Sequence, residues 1–368
     1  MGIKNNGHIN EVLYRLNVNS DIEPELLEKA FNQVLINTDS KTRDVQMGSI
    51  LTGLMGRGPN VDQISALLRT IFSFDGFDYN NKVKIDLPNN EKLICSVGSG
   101  KKGYKTMNIS TPALLIAATY GIYCAKPASS STSSVTGSSD FLNEVGVNMD
   151  LNIKEMGEVI KKTRFGVFSI ENLLPKFDNI YGGRFYVPHT LSFGLAALAS
   201  PVIFDHILYG LAHPNVELSA DVLRKFNVEN ALVVSSSYDG IHYIDEIGIN
   251  GTSKIVGIKD GKKGDVKNFN PHDYLDIPLY SVEDISQGKT VQQNVQYVID
   301  VLRGVGKQAH EDIICINTGS VMYLAGKVET FVEGYHIAKK IIKTGAPLEK
   351  LIEVVHATNG DKMLKRYL

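Results

Sequence analysis

Cysteine is scarce in this 368-residue chain: Cys95, Cys124 and Cys315 lie far apart, are odd in number and form no Cys-x-x-Cys pair. That excludes a disulfide framework or a cysteine zinc site and leaves buried thiols in a reducing compartment. A surplus of one charge is also missing. Lys and Arg number 38 against 40 Asp and Glu, a net charge of −2, so no global basic field points to nucleic acid or an anionic membrane. Long apolar runs are absent too. The longest, around Pro112–Ala125, contains Tyr120, Gly121 and Tyr123 and is too short to cross a bilayer. The opening Met-Gly-Ile-Lys-Asn-Asn carries no apolar signal core, and Asn6 stands where a myristoylation pattern requires Ser or Thr. No low-complexity tract or repeat is evident. A cytoplasmic globular protein with no membrane partner is expected, long enough for two domains.

What is present begins with helices. Leu26, Leu27, Ala30, Phe31, Val34 and Leu35 fall at helical spacing after Pro24, and Ile50, Leu51, Leu54 and Met55 repeat the pattern. Val61, Ile64, Leu67, Leu68 and Ile71 follow it after the Gly56–Pro59 turn, so residues 21–73 read as three short amphipathic helices. From Lys92 the pattern changes. Leu93–Val97 reads as a buried strand, Thr111–Tyr120 as a helix, 121–126 as a second strand and 140–145 as another helix. Strand, helix and strand in that order predict a parallel α/β sheet. Further on, 220–226 reads as a helix, 231–235, 245–249 and 254–258 as strands, 290–304 as a helix, 313–317 as a buried strand and 328–344 as a helix, with helix again from Leu348. Segment 166–203 shows no clear periodicity.

The most informative stretch is Gly98–Thr111, three glycines and three lysines among small hydroxyl and amide side chains. Glycines let backbone N–H groups approach an anion, hydroxyls and an amide add donors, and lysines add charge, which makes a phosphate cradle. Gly98-x-Gly100-x-x-Gly103 formally matches a dinucleotide fingerprint. However, residues 104–111 separate it from the next helix, and the next strand ends in Lys126 with no acid for a ribose hydroxyl. No Gly-Lys-Ser/Thr follows at P-loop spacing. The bland alternative is a solvated turn.

A second block in register decides between them. Gly98-Ser99-Gly100-x-x-Gly103-x-x-Thr106-x-Asn108-Ile109-Ser110-Thr111 resembles the GTGGDGxxTFNIST segment of the anthranilate phosphoribosyltransferase family. Ala125-Lys126, then Ser133-Ser134-x-x-Gly137-Ser138-x-Asp140-x-Leu142, resembles that family's AKHGNRSVSSKSGSADVL segment. Asn230–Val234, Asp245-Glu246, Asn317 and Glu333-Gly334 are similar to its later landmarks. The resemblance implies an α/β fold: a small helical domain plus a larger α/β domain with a mainly parallel central sheet. The helical domain would span 1–88, completed by part of 176–215, and the α/β domain 89–175 and 216–368. It also implies binding of phosphoribosyl pyrophosphate or another sugar phosphate by Gly98, Ser99, Gly100, Lys102, Asn108, Ser110, Thr111, Lys126 and Ser138. Asp245 and Glu246 would hold Mg2+, and a homodimer would form. Read alone, Asp245-Glu246 could be an exposed acidic turn, Lys126 a solvated strand end, and Ser133, Ser134 and Ser138 helix caps. His189 and His242 have no motif and read as structural.

The departures from that pattern fall at binding positions. A glycine and an aspartate of the family motif are replaced by Lys101 and Lys102, and the family's aspartate contributes to donor and metal binding. Lys102 thus reverses a charge, weakening a second metal and favouring direct phosphate binding. The His-Gly-Asn-Arg segment becomes Pro127-Ala128-Ser129-Ser130, and the family's asparagine at Ser129 helps hold anthranilate. The arginine that pairs with the substrate carboxylate falls at Gly183 or Arg184, and Asn-x-x-Gly-Pro-Leu becomes Phe193–Leu198. An aromatic carboxylate needs a guanidinium fork or equivalent donors, and these are thinned. The leading expectation is a magnesium-dependent pentosyltransferase acting on an unidentified acceptor other than anthranilate, placed against Pro127–Ser130, with Ser129, and segment 183–197, with Arg184. A nucleoside phosphorylase of the same fold, and an inactive paralogue binding a ligand or nucleic acid through Lys101, Lys102 and Lys105, are the alternatives.

Overall fold

The computed structural model describes residues 7–131, 134–360 and 362–368. Asn6 and Ser133, used above, lie outside them. Among the described residues, one sheet contains β1 (Leu93–Gly98), β2 (Tyr123–Ala128), β3 (Phe165–Ser169), β4 (His206–Gly210), β5 (Ala231–Ser237), β6 (Tyr243–Ile244), β7 (Thr252–Lys259), β8 (Lys262–Lys263) and β9 (Lys267–Phe269). The order is β3-β2-β1-β4-β5-β7-β8, with β6 on β5 and β9 on β7. The pairs β3–β2, β2–β1, β1–β4 and β4–β5 are parallel, and β5–β6, β5–β7, β7–β8 and β7–β9 are antiparallel. The mixed α/β architecture with a mainly parallel central sheet is therefore as expected.

Strands β1 and β2 are buried on both faces, which is why they read as continuous apolar runs rather than alternations. The two faces join different apolar clusters. Ile207, Tyr209 and Val233 pack with Phe31, Leu54 and Ile71 of the amino-terminal helices. Leu208, Leu232 and Val234 face the other way, toward Leu114, Ile116 and Ile316. That alternation is the strand period of two. The amino-terminal helices are Gly7–Asn17, Pro24–Leu35, Ser40–Arg57 and Val61–Asp75. Pro24 opens the second, and a reciprocal Asn60–Gln63 capping box opens the fourth. Among the described residues no helix is long and apolar enough to cross a membrane.

Two local expectations are corrected. Residues 313–317 are not a strand but the middle of the helix Gln308–Leu324. That helix is buried on every side, so it has no polar face, and Ile313-Ile314-Cys315-Ile316 imitates a core strand. Residues 245–249 are not a strand either; β6 ends at Ile244. Side chains replace the ladder there: Ile247 N–H donates to Asn317 Oδ1 at 3.0 Å, and Asn317 Nδ2 donates to the Ile247 carbonyl at 2.9 Å. Gly248 N–H donates to Ser236 Oγ at 2.9 Å. Beyond these, β4 lies beside β1 at the centre of the sheet, in a stretch given no element from the sequence. The helix Gly7–Asn17 is likewise an addition to the three expected.

Candidate functional site

Two cavities adjoin at the carboxyl ends of the parallel strands, where open α/β sheets place ligands. The first is polar. Gly98, Gly100, Lys102, Asn108, Ser110, Lys126, Ser129, Ser138, Asp245 and Glu246 all line it, so most residues singled out from the sequence converge. Ser99 lines the second cavity instead. Its hydroxyl accepts the Ala212 N–H at 3.0 Å, tying the glycine loop to the chain after β4. Thr111 lines neither: it is buried, and its Oγ1 has no hydrogen-bond partner among the described residues. Arg184 also lines neither. It is exposed and paired with Asp44 at 2.9 Å, so the guanidinium expected beside an acceptor carboxylate is directed elsewhere.

The polar cavity is built by three connections. Lys126, within β2, donates to Ser110 Oγ at 2.8 Å and to the Ser96 carbonyl at 3.2 Å. Burial pulls this ammonium down to about 8. Asn108 Nδ2 donates to the Gly137 carbonyl at 3.2 Å, bridging the two motif segments, while its Oδ1 is buried without a partner among the described residues. Asp140, in the first turn of the helix Ser138–Glu144, accepts the N–H groups of Gly137 and Ser131 at 2.7 and 2.8 Å. That closes the serine-rich loop over the cavity. Ser129 N–H donates to Ser138 Oγ at 3.2 Å.

The acidic pair stands opposite. Asp245 is buried against glycine: a Cβ on Gly98 would overlap its carboxylate, and one on Gly210 its carbonyl. Asp245 Oδ2 accepts the Gly100 N–H at 2.7 Å. Lys102 Nζ reaches between the acids, 2.7 Å from Glu246 Oε1 and 3.3 Å from Asp245 Oδ1, and donates to Thr106 Oγ1 at 2.6 Å. Burial alone would lower this ammonium, but the two carboxylates outweigh it and hold it above the ordinary lysine value. Burial and the Asp245 charge push Glu246 upward, and the Lys102 ammonium opposes that shift. Magnesium takes near-octahedral oxygen ligands at about 2.0–2.1 Å. The carboxylates expected to supply them are already engaged by a protein cation, so the pair as it stands does not fit a protein-bound Mg2+. Lys102 thus lines the polar cavity with its ammonium already held by Glu246, Asp245 and Thr106. Sequence reading missed Thr106 as its third partner; no spacing signal separates it from other small polar residues of the loop.

The second cavity is mainly apolar and shares Gly98, Gly100, Lys101 and Ser129 with the first. Leu174, Phe177, Tyr181, Leu191 and Leu195 line it. His189 is buried and held near 3 by desolvation and by Lys101. Its Nδ1 accepts the Leu191 N–H at 3.3 Å, which assigns the proton to Nε2, 2.5 Å from the Tyr181 hydroxyl. The sequence reads it as structural, and here it lines the second cavity; His242 pairs with Asp239 in an exposed turn. Lys101 Nζ donates to the Gly183 carbonyl at 3.3 Å and stands 5.2 Å over the Tyr181 ring. Glu171 accepts the Ser130 N–H at 2.5 Å and the Ser169 hydroxyl at 3.0 Å, bracing the loop between the cavities. With Asp178 it gives this cavity two carboxylates. Neither acid was found from sequence, because neither belongs to a motif.

Residues 90–348 match the profile of the glycosyl transferase family, a/b domain. The chain is 26% identical over 372 residues to the anthranilate phosphoribosyltransferase of Pseudoalteromonas translucida, spanning 98% of this chain and 100% of that one. It is 31% identical over 314 residues to that of Streptococcus pneumoniae serotype 19F, covering 84% and 89%. Among solved structures, anthranilate phosphoribosyltransferase from Thermus thermophilus shares the fold with a TM-score of 0.74 at 22% identity, covering 95% of this chain and 99% of that one. The Saccharomyces cerevisiae enzyme in complex with PRPP and Mg has a TM-score of 0.75 at 16% identity, covering 95% and 98%.

Proposed function

Because this chain belongs to the glycosyl transferase family of the anthranilate phosphoribosyltransferases, we propose that it transfers a 5-phosphoribosyl group from phosphoribosyl pyrophosphate to an acceptor other than anthranilate. The convergence of Lys126, Ser110, Asn108, Ser129 and Ser138 with the Gly98–Gly100 backbone on one polar cavity carries the donor reading. An acceptor nitrogen in the second cavity would attack the anomeric carbon as its bond to the diphosphate oxygen breaks, through an oxocarbenium-like state. Fixed donors aimed at the departing diphosphate would lower that barrier without reorganising. Magnesium enters this reading only as the counter-ion that accompanies a diphosphate and offsets its charge.

The second cavity supports the acceptor half of the proposal. Glu171 and Asp178 line it, and Arg184 is paired away with Asp44. A carboxylate-bearing acceptor would meet the like charge of these acids and a cationic one that of Lys101, so a neutral nitrogen heterocycle fits best. Lys101 and Lys102 are turned into the site, which favours the transferase over a surface that binds nucleic acid. Closure of the helical segment 1–88 on the α/β part, and a homodimer, belong to the same reading. Titration calorimetry with phosphoribosyl pyrophosphate tests it: saturable binding is expected, and its absence with and without Mg2+ sinks the donor assignment. Turnover of anthranilate would sink the acceptor assignment alone.

A further inference from the structure

We propose that the Lys102 ammonium is a resident cation that takes the place of a divalent metal at Asp245 and Glu246, so that the protein holds its donor without a metal of its own at these acids. The proposal rests on the reading above for the donor only; the exchange of cations can be tested without donor.

The geometry is that of an oxygen site filled by nitrogen. Thr106 Oγ1, Glu246 Oε1 and Asp245 Oδ1 surround Nζ at 2.6, 2.7 and 3.3 Å. An ammonium has three protons; two go to Thr106 and Glu246, and Asp245 Oδ1 stands at ion-pair distance without a hydrogen-bond partner among the described residues. The lysine is placed by backbone on both sides. Gly100 N–H donates to Asp245 Oδ2 at 2.7 Å, and Gly103 N–H donates to the Tyr243 carbonyl at 2.8 Å. Lys105 Nζ donates to the carbonyl of Lys102 itself at 2.8 Å. The loop bearing the cation and the segment bearing the acids are thus pinned together immediately before and after residue 102. A divalent ion bound to the same two carboxylates would share their oxygens with a fixed positive charge, so the two cations exclude each other.

Glu246 Oε2 is buried and has no hydrogen-bond partner among the described residues. The acidic pair therefore retains the capacity of a metal site once the ammonium is removed. Lys102→Ala would open it.

The test uses Mn2+ alone, read by electron paramagnetic resonance on the full-length protein without donor. Wild type is expected to bind no Mn2+ that Glu246→Gln removes. Lys102→Ala and, as a second and milder variant, Lys102→Gln are expected to gain one Mn2+ per chain, lost again in the double variants with Glu246→Gln. Circular dichroism melts establish that each variant is folded. A wild-type Mn2+ site that Glu246→Gln abolishes would overturn the proposal, as would folded lysine variants that gain no Mn2+. Calorimetry with phosphoribosyl pyrophosphate in EDTA is the second arm. Wild-type affinity is expected within about twofold of that measured with Mg2+, and Lys102→Ala is expected to lose tenfold or more in EDTA and recover with Mg2+. Equal magnesium dependence of the two proteins would overturn the proposal. Absence of donor binding to any of them would sink the phosphoribosyl reading while leaving the Mn2+ result to stand.

Discussion

Lys126 Nζ donates to Ser110 Oγ across 2.8 Å, joining β2 to the first residue of the helix Ser110–Tyr120. This places a buried positive charge where the two motif segments meet, and burial holds it near 8 rather than 10.5. Below that value the group is an ammonium that attracts diphosphate; above it the attraction is lost. Affinity for inorganic pyrophosphate is expected to fall as pH rises from 7 to 9. Lys126→Met should bind more weakly at pH 7 and show a shallower fall, measured by calorimetry. Lys101, also lowered to about 8 by burial and by Lys105, supplies the remaining slope. The stability effect has the opposite sense. The folded value is depressed, so the unfolded chain binds more protons between about 8 and 10.5, and these lysines' contribution to stability rises with pH across that window.

Gly98→Ala should disrupt donor binding without unfolding the sheet. The new Cβ overlaps the Asp245 carboxylate, which must leave the Gly100 N–H and the Lys102 ammonium. Affinity for phosphoribosyl pyrophosphate is expected to drop by at least tenfold, roughly 1.4 kcal/mol. Retention of wild-type affinity would show that the position of Asp245 is immaterial.

Asn317→Ala should connect core stability to the site. Its amide satisfies both the N–H and the carbonyl of Ile247, one residue beyond Glu246. Leaving buried backbone groups unpaired costs about 1–3 kcal/mol each. Urea unfolding is expected to show a loss of about 2–4 kcal/mol, with weaker donor binding in parallel.

Lys339→Met tests the carboxyl-terminal core. Asp312 is fully buried, and its carboxylate takes Lys339 Nζ at 2.9 Å and the hydroxyls of Tyr335 and Tyr280 at 2.7 and 2.6 Å. Removing the ammonium leaves that charge with neutral partners only, beside Glu311, which Lys339 also pairs. Denaturant unfolding should show a loss of roughly 3 kcal/mol, with donor affinity unchanged.

The polar half of the site was legible in the linear sequence because it is local. Gly98–Ser110 and 126–138 each follow one strand, and the parallel pairing of β1 with β2 sets their ends side by side. Helices with one apolar face, such as Val61–Asp75, were legible for the same reason: their periodicity is written in neighbouring residues. The helix Gln308–Leu324 was not, since burial on all sides erased its polar stripe. Nor was segment 245–249, whose backbone partners are the side chains of Ser236 and Asn317 rather than a neighbouring strand.

The linear sequence was enough for the α/β class, through its strand–helix–strand spacing, and, through its resemblance to a family, for most residues of the polar cavity. What Lys102 does, where Arg184 points and which acids line the second cavity were decided only by tertiary structure. Lys102 meets Glu246 across 144 residues, Arg184 meets Asp44 across 140, and Glu171 meets Ser130 across 41. Charge partners at such separations are selected by how the sheet brings its loops together, and no local pattern records that choice.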